Sequence, residues 1–285
     1  MNGILIVDKP NNYTSRDIVN IVSKELKTKK VGHTGTLDPM ATGVLVLCIG
    51  EATKLVELLT SSSKEYIAGI TLGIETDTLD EEGIIIKYDK KDISDTDIIT
   101  AVNSMKGSYN QEVPNYSAVK INGKKLYEYA REGIDITLPK REVEISSIEI
   151  ISNIEHDEYI KFQIKTKVSK GTYIRSLVKD IAYKLNTVGI MSSLRRIKQG
   201  RFDISEAYKL DDIQKGNYKI ITIEEALKDM YTVDLDEDLY IKVSNGVKLP
   251  NTYNQNIVVF KYNNKVKAIY KDDNNILRVY KMFKD

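Results

Sequence analysis

The segment VGHTGTLDPMATGV, residues 31–44, is the most distinctive stretch of this 285-residue chain. Its three glycines, three threonines and one proline predict a loop, and the apolar run that begins at Val44 predicts a strand directly after it. Pro39 disfavours the helical conformation for Asp38, so the Asp38 carboxylate is expected to project from an extended backbone. The loop therefore predicts a fixed acidic group between two elements of the core.

The chemistry of this loop has more than one interpretation. A preorganised carboxylate beside small and hydroxylic residues suits a nucleophile or a base, but Asp38 could equally cap a following turn. His33 is open to three interpretations: a general base, a contact to a nucleobase edge, or a hydrogen-bonded loop residue. The loop has no GxxxxGK[ST] pattern, which argues against a nucleoside triphosphate site.

Outward from the loop, apolar periodicity and turn residues predict interleaved helices and strands without regular βαβ spacing. The class that this pattern favours is α+β, with a mainly antiparallel sheet flanked by helices. The predicted elements are strands at 4–7, 66–72, 117–121, 143–151, 159–168 and 194–202, and helices from Thr14 or Ser15, at 53–59, from Ser94 with Gly107 as its stop, and at 124–131 and 172–185. After Met230 the texture changes to short strands at 257–262, 266–270 and 276–282.

Composition excludes several classes of protein. Hydrophobic residues make up 41% and charged residues 29% of the chain, which fits a folded globular protein and not a disordered one. One cysteine excludes an intramolecular disulfide framework, and two histidines with one cysteine cannot supply the usual zinc site. With no secretory signal and no apolar stretch long enough to span a bilayer, we expect an intracellular protein outside the membrane, in the cytoplasm, without a metal site.

The formal net charge of +1 hides a segregation of charge. Residues 165–201 carry ten basic residues and one acid, a net of +9, whereas residues 75–97 carry nine acids and three lysines, a net of −6. Both could be solvated faces. Because the basic run is interleaved with Gly171, Tyr173 and Gly200, it also suits a surface that phosphates approach closely. We therefore expect an electropositive surface along residues 165–201 that suits phosphates, and a separate acidic patch along residues 75–97 that does not.

Residues 32–38, GHTGTLD, resemble the catalytic motif of the bacterial tRNA pseudouridine-55 synthases, the TruB family. Further matches lie in the family's order between Gly3 and about Phe202. They are Asp8-Lys9-Pro10, Thr14-Ser15, Lys64-Glu65-Tyr66, Tyr116-Ser117-Ala118-Val119-Lys120 with Gly123, Leu126-Tyr127, Ala130-Arg131, Gly171-Thr172-Tyr173-Ile174-Arg175-Ser176-Leu177, and Leu194-Arg195-Arg196 with Gly200 and Phe202.

The resemblance implies isomerisation of uridine 55 in the T loop of tRNA to pseudouridine, with no cofactor, metal or energy source. It implies that Asp38 is the essential aspartate acting at the sugar, and that Arg175 pairs with and orients it. It implies that Tyr66 stacks on the target base and helps to remove the C5 proton. The target nucleotide would be flipped out of its stack, with His33 helping to fill the gap.

The resemblance also implies a set of substrate-binding residues and a domain plan. Leu194 would be an apolar pocket wall, and the other substrate- or RNA-binding residues would be Lys9, Arg195 and Arg196. Lys64 and Tyr173 would either face the RNA or support the residues that do. We expect a pseudouridine-synthase catalytic domain at 1–231 and a small all-β, PUA-like RNA-binding domain at 232–285, short for its kind. The expected partner is the T stem-loop of tRNA, bound by a monomer with no obligate protein partner.

Two other hypotheses compete with this one. A non-catalytic RNA-binding protein would need the fold and the basic surface but not the set of Asp38, Tyr66 and Arg175. A hydrolase using Asp38 with His33 would leave the basic run and the other motifs unexplained. An assay for pseudouridine in tRNA separates all three.

Overall fold

The computed structural model describes residues 1–284. In chain order its strands are β1 (Gly3–Lys9), β2 (Val31–His33), β3 (Thr42–Ile49), β4 (Lys64–Leu72), β5 (Ile74–Thr76), β6 (Ile85–Tyr88), β7 (Gly107–Glu112), β8 (Lys120–Ile121), β9 (Lys124–Lys125), β10 (Lys140–Ile150), β11 (Glu155–His156), β12 (Ile160–Val168), β13 (Gly189–Gln199), β14 (Phe202–Asp203), β15 (Thr232–Asp234), β16 (Leu249–Pro250), β17 (Ile257–Tyr262), β18 (Lys265–Asp273) and β19 (Ile276–Met282). The α-helices are α1 (Ser15–Glu25), α2 (Val56–Thr60), α3 (Asp95–Asn103), α4 (Leu126–Arg131), α5 (Ile174–Lys184), α6 (Leu210–Gln214), α7 (Ile223–Ala226) and α8 (Glu237–Ser244), with 3₁₀ turns at Gly50–Leu55 and Ile204–Glu206.

A ten-stranded sheet forms the centre of the molecule, with the order β1-β3-β13-β4-β12-β10-β7. All neighbours along this path are antiparallel except β3 and β13, which run parallel where Thr42 pairs with Arg195 and Gly43 with Arg196. The predicted α+β class with a mainly antiparallel sheet is confirmed. The one parallel contact joins the end of the 31–44 loop to the middle of the sheet.

Local sequence explains where the first helix begins. Thr14 is the N-cap of α1, its hydroxyl accepting from the Asp17 N–H at 3.1 Å while the Asp17 carboxylate accepts from the Thr14 N–H at 2.9 Å. This reciprocal pair is a capping box, which satisfies two amides that the helix cannot. The buried side of α1 includes Ile18 and Val22 and packs on β1 and β3. The helix therefore packs against the strand that continues from the loop of residues 31–44.

Three predicted boundaries were wrong. The strand expected at 194–202 begins five residues earlier and ends at Gln199, and Phe202 belongs to the separate strand β14. Gly107 does not end the helix that Ser94 caps; the cap is Ser104, and Gly107 opens β7 with a φ of +116°. The strand expected at 117–121 is reduced to the two residues of β8, because residues 115–119 turn back toward the sheet. The Asn122-Gly123 turn between β8 and β9 is present, with both residues at positive φ.

The C-terminal part forms a second sheet of five strands, in the order β15-β17-β18-β19-β16. It carries one helix, α8, which the strand pattern did not indicate; Asp236 caps it by accepting from the Leu239 N–H at 2.8 Å. The sheet has its own core, but its other face is continuous with the core of the large sheet. This shared cluster includes Ile4, Ile6, Val44 and Val46 from one side and Val259, Val266, Ile269 and Phe283 from the other.

Candidate active site

The loop between β2 and β3 is anchored in the core on both sides of Asp38. The side chains of Leu37 and Met40 are buried in the cluster beneath the central sheet. Asp38 lies between them with 38% of its side chain exposed. The Leu37 N–H also donates to the buried Ser15 hydroxyl at 2.9 Å, which ties the loop to α1. Burial of its neighbours thus presents the carboxylate outward from a fixed backbone.

Lys9 holds the same loop from below. Its side chain has 0% relative exposure, and its ammonium donates to the carbonyls of Pro10 (2.9 Å), Tyr13 (2.6 Å) and Pro39 (3.0 Å). Burial lowers the pKa of Lys9 to about 8, although the charge of Asp38 acts in the opposite direction. The expectation that Lys9 contacts RNA does not fit this burial. Lys9 lies beneath the loop of residues 31–44 and bonds Pro39, the residue that follows Asp38.

Arg196 performs a similar task on the other side of the loop. Only 1% of the residue is exposed, and its guanidinium donates to the carbonyls of Val44 (Nε, 2.7 Å) and Gly35 (Nη2, 3.1 Å). Gln199, three residues further along β13, donates to the Thr34 carbonyl at 3.1 Å. The expectation that Arg196 is an exposed phosphate contact therefore does not fit. This arginine and Gln199 fix the first half of the loop.

Arg175 faces Asp38 from the first turn of α5. Its Nη2 lies 3.1 Å from Asp38 Oδ2 and donates to the Tyr116 carbonyl at 3.0 Å. Its Nη1 donates to the Thr78 carbonyl at 3.0 Å and lies 3.7 Å from Asp80 Oδ2. One buried guanidinium therefore joins four chain segments and leaves Asp38 paired with Arg175 and not with His33.

Asp80 corrects an expectation drawn from charge. It belongs to the acidic stretch 75–97, which was expected to lie apart from the RNA-facing cleft. Instead its carboxylate is buried beside Arg175. Burial is the largest cause of the raised pKa of the neighbouring Glu82, and the charges of Asp80 and Asp38 raise this pKa further. The negative patch and the Asp38 carboxylate are thus partly contiguous.

A cavity of about 430 Å³ opens at Asp38, a size typical of ligand sites. Its lining includes most of the residues that the sequence singled out, namely Asp38, Lys64, Tyr66, Tyr173, Arg175, Leu194 and Arg196. Tyr66 and Leu194 are buried side chains of the neighbouring strands β4 and β13, so they give the cavity an apolar wall. Gln111 on β7 accepts from the Tyr173 N–H at 2.7 Å and thereby fixes the start of α5.

Lys9, His33 and Arg195 do not line this cavity. Arg195 forms a two-point ion pair with Asp8 of β1, at 2.8 Å and 3.1 Å. Burial is the largest of the effects that lower the pKa of His33, followed by the charges of Arg16 and Arg196, so the imidazole is neutral at pH 7. Its Nδ1 is buried without a hydrogen-bond partner among residues 1–284.

The site also contains residues that sequence reasoning did not select. Asp80 and Tyr116 contact Arg175, while Ser117 and Lys170 line the cavity. Tyr116 and Ser117 belong to a motif that matches the family, and Lys170 belongs to the basic run. The sequence therefore contained a feature that could have identified each of them as a site residue. Asp80 had no comparable signal, because its contact with Arg175 spans 95 positions of the chain.

Among residues 1–284, no three His, Cys, Asp or Glu side chains are grouped so that they could hold a metal ion. Within the same residues no helix has the length and hydropathy needed to cross a membrane.

Comparison with known families gives two matches. Residues 23–174 match the family model described as TruB family pseudouridylate synthase, N-terminal domain, and residues 175–233 match the tRNA pseudouridylate synthase B C-terminal domain. A protein of Lactobacillus acidophilus named tRNA pseudouridine synthase B is 42% identical over 287 residues, covering 98% of this chain and 97% of its own. The protein of that name from Bacillus subtilis is also 42% identical, covering 95% and 93%.

Solved structures share the fold at lower identity. An H/ACA ribonucleoprotein bound to a substrate RNA containing 2′-deoxyuridine includes a chain that matches 99% of this one with a TM-score of 0.73 and 22% identity. A Cbf5–Nop10–Gar1 complex gives a TM-score of 0.73 at 23% identity. The family-model matches and the relatives that are 42% identical over nearly the whole chain establish that the protein belongs to the TruB family of pseudouridylate synthases.

Proposed function

We propose that the protein converts uridine 55 in the T loop of tRNA to pseudouridine, with Asp38 as the essential carboxylate. The observation that carries the proposal is the Asp38–Arg175 pair, 3.1 Å apart, in a cavity large enough for a nucleotide. The name of the relatives, tRNA pseudouridine synthase B, supports tRNA as the substrate. The residues of the cavity suit a reaction in which both fragments of one nucleotide remain bound.

Asp38 acts at C1′ of the target ribose, where the glycosidic bond breaks. Arg175 orients the carboxylate, because a guanidinium held by two carbonyls and a second buried acid has little freedom to turn. Tyr66 stacks on the uracil and assists removal of the proton from C5, while Leu194 closes the apolar side of the pocket. The released base can then turn and form the new bond through C5 without leaving the cavity.

Access to this cavity requires the target nucleotide to leave its stack, at a cost of a few kcal/mol. The neutral His33 helps to fill the space left behind. Exposed cations that are free of carboxylate partners within residues 1–284 include Arg16 and Lys170, and these can bind phosphates around the flipped nucleotide. By contrast, Lys179 is paired with Glu112 at 3.1 Å.

The remaining features of the proposal concern organisation. The protein acts as a monomer in the cytoplasm on the T stem-loop of tRNA, without an obligate protein partner. Residues 1–231 carry the catalytic site, and residues from Thr232 onward form a PUA-like unit that adds contacts to the RNA.

The test is an unmodified tRNA transcript, incubated with the protein and mapped for pseudouridine. We expect modification at position 55 with the native protein and none with Asp38→Asn, which should still bind the transcript. Asp135→Asn is the matched control, since this aspartate lies exposed in a loop, and it should modify at the native rate. Native protein that binds tRNA without forming product would refute catalysis, and product at another uridine would refute the assigned position.

A further inference from the structure

Two lysines and an arginine meet at one edge of the catalytic cavity. Lys64 begins β4, Arg196 lies on the adjacent strand β13, and Lys170 occupies the turn after β12. Lys64 is only 8% exposed, and its ammonium donates to the carbonyls of Thr60 and Ser62, each at 2.8 Å. An ammonium has three N–H donors, so one remains without an acceptor among the described residues.

The cluster lacks a negative partner. Within residues 1–284 no carboxylate lies within ion-pair distance of Lys64 or Lys170. Burial, followed by the charges of Arg196 and Lys170, lowers the pKa of Lys64 to about 8. Buried charges in proteins are normally paired, because an unpaired one loses its hydration without compensation. An anion bound here would supply the missing compensation.

The backbone around the cluster is open to such an anion. A Cβ placed on Gly35 would lie 3.5 Å from Arg196 Nη1 and 3.7 Å from Lys64 Cε, in ordinary contact with both. Gly171, with a φ of +83°, would meet nothing within 4 Å. Neither glycine places a side chain at the edge of the cavity that Lys64 and Lys170 line.

We propose that Lys64 and Lys170 form a subsite for one phosphodiester of the RNA beside the target nucleotide, with Arg196 adding positive charge from behind. This inference rests on the proposed function, because it takes the occupant of the cavity to be an RNA nucleotide. The phosphate accepts hydrogen bonds from both ammonium groups, while Arg196 remains bonded to the loop carbonyls.

The subsite links RNA binding to pH. A bound phosphate favours the charged form of Lys64, so affinity is highest when Lys64 is protonated and falls as the pH rises above about 8. The ionisable groups that face Lys64 are Arg196 from β13 and Lys170 from the turn, with Tyr66 on the same face of its own strand. Lys9 also has a pKa of about 8 but lies beneath the loop. Substitution of Lys64 is therefore needed to tell its effect on the pH dependence of affinity from that of Lys9.

The experiment measures the affinity for an unmodified T stem-loop RNA in an Asp38→Asn background, between pH 6.5 and 9.0 at constant ionic strength. For the Asp38→Asn parent we expect the affinity to fall about tenfold between pH 7 and pH 9. This is the limit for one group that has a pKa of about 8 in the free protein and stays protonated in the complex. At pH 7, Lys64→Met and Lys170→Ala should each weaken binding and reduce the salt slope by up to about 0.7, the value for the one single-strand phosphate that the two lysines share.

The variants also predict different pH profiles. Lys64→Met should show no fall in affinity near pH 8, and Lys170→Ala should move the fall to higher pH by removing a repelling charge. Lys179→Ala is the control and should keep the parent salt slope, because its ammonium is paired with Glu112.

Unchanged affinity and salt slope in both Lys64→Met and Lys170→Ala would overturn the subsite, as would a parent-like fall in Lys64→Met. Since Lys170 is exposed, its variant tests the idea even if Lys64→Met does not fold. Failure of the native protein to form pseudouridine, with these binding results intact, would refute only the proposed reaction.

Discussion

Asp38 Oδ2 lies 3.1 Å from Arg175 Nη2, and the two side chains are 38% and 6% exposed. The reactive carboxylate therefore reaches the cavity while its partner is buried among carbonyls of two other segments. An ion pair with an immobile guanidinium restricts the carboxylate more than a pair with a surface arginine would. The precision of the site is thus set by residues distant in sequence that converge on Arg175.

Arg175→Lys should impair catalysis more than binding. A lysine keeps the charge but has one ammonium in place of a planar group that contacts Asp38, Asp80 and two carbonyls at once. We expect kcat to fall by at least about 100-fold, with a small change in KM, because misplacement of a reacting group mainly raises the barrier. Single-turnover formation of pseudouridine measures this, with the half-exposed Arg278→Lys as a control. Native kcat in Arg175→Lys would contradict the positioning role.

Lys9→Met should disturb the loop although Lys9 lies outside the cavity. Loss of three carbonyl contacts from a charged donor should cost about 1–3 kcal/mol and lower kcat. The exposed Lys24→Met should change neither quantity. Urea unfolding and the pseudouridine assay report the two effects. A variant with native stability and rate would show that Ser15 and Arg196 alone hold the loop.

The same lysine predicts a dependence of stability on pH. Burial depresses the pKa of Lys9 to about 8 from 10.5, so the folded protein releases this proton before the unfolded chain does. From pH 8 toward pH 10.5 the unfolding free energy should therefore gain up to about 1.4 kcal/mol per pH unit from this group, and nothing below pH 8. Lys9→Met should lack this increment in urea titrations at pH 7.5 and 9.5. Parallel curves for the two proteins would contradict it.

Local patterns predicted most of the framework because they act over a few residues. The Ile4–Val7 run, the Thr14 cap and the Asn122-Gly123 turn each depend on neighbours in the chain, and each appears in the structure. The errors at Gly107 and at residues 117–121 arose where tertiary contacts decide the local structure. Gly107 serves a strand that pairs with β10, and residues near Ser117 are pulled toward Arg175.

The charged residues of the site were harder to place. The resemblance implied that Lys9 and Arg196 bind RNA, but the structure buries both, which is rare for lysine and arginine. What buries them is a set of carbonyl acceptors supplied by a distant loop: Lys9 bonds Pro39, 30 positions away, and Arg196 bonds Gly35, 161 positions away. Charge counts along the chain carry no information about such pairings.

Gly43→Ala should be severely destabilising. Gly43 has a φ of +100°, and a Cβ there would lie 2.2 Å from the Arg196 carbonyl oxygen, so β3 and β13 could not keep their parallel contact. Gly216→Ala is a matched control, because its φ is +78° but its Cβ would meet nothing within 4 Å. We expect about 1 kcal/mol for the control and more than about 4 kcal/mol for Gly43→Ala, which adds a backbone clash to the strain. Equal losses in urea unfolding would contradict the proposed clash.

Phe283→Ala should destabilise the catalytic part of the chain and not only the C-terminal sheet. The Phe283 ring is buried in the cluster that Ile4 and Val44 share, and Lys54 donates to the carbonyl beside it at 2.6 Å. Removing a buried phenyl ring costs about 3–5 kcal/mol, whereas the half-exposed Ile276→Ala should cost much less. Because the core is continuous, the loss should appear as one unfolding transition followed by both near-ultraviolet circular dichroism and pseudouridine formation. If circular dichroism shows an earlier, separate transition in which activity is retained, the two sheets fold independently and the shared core does not couple them.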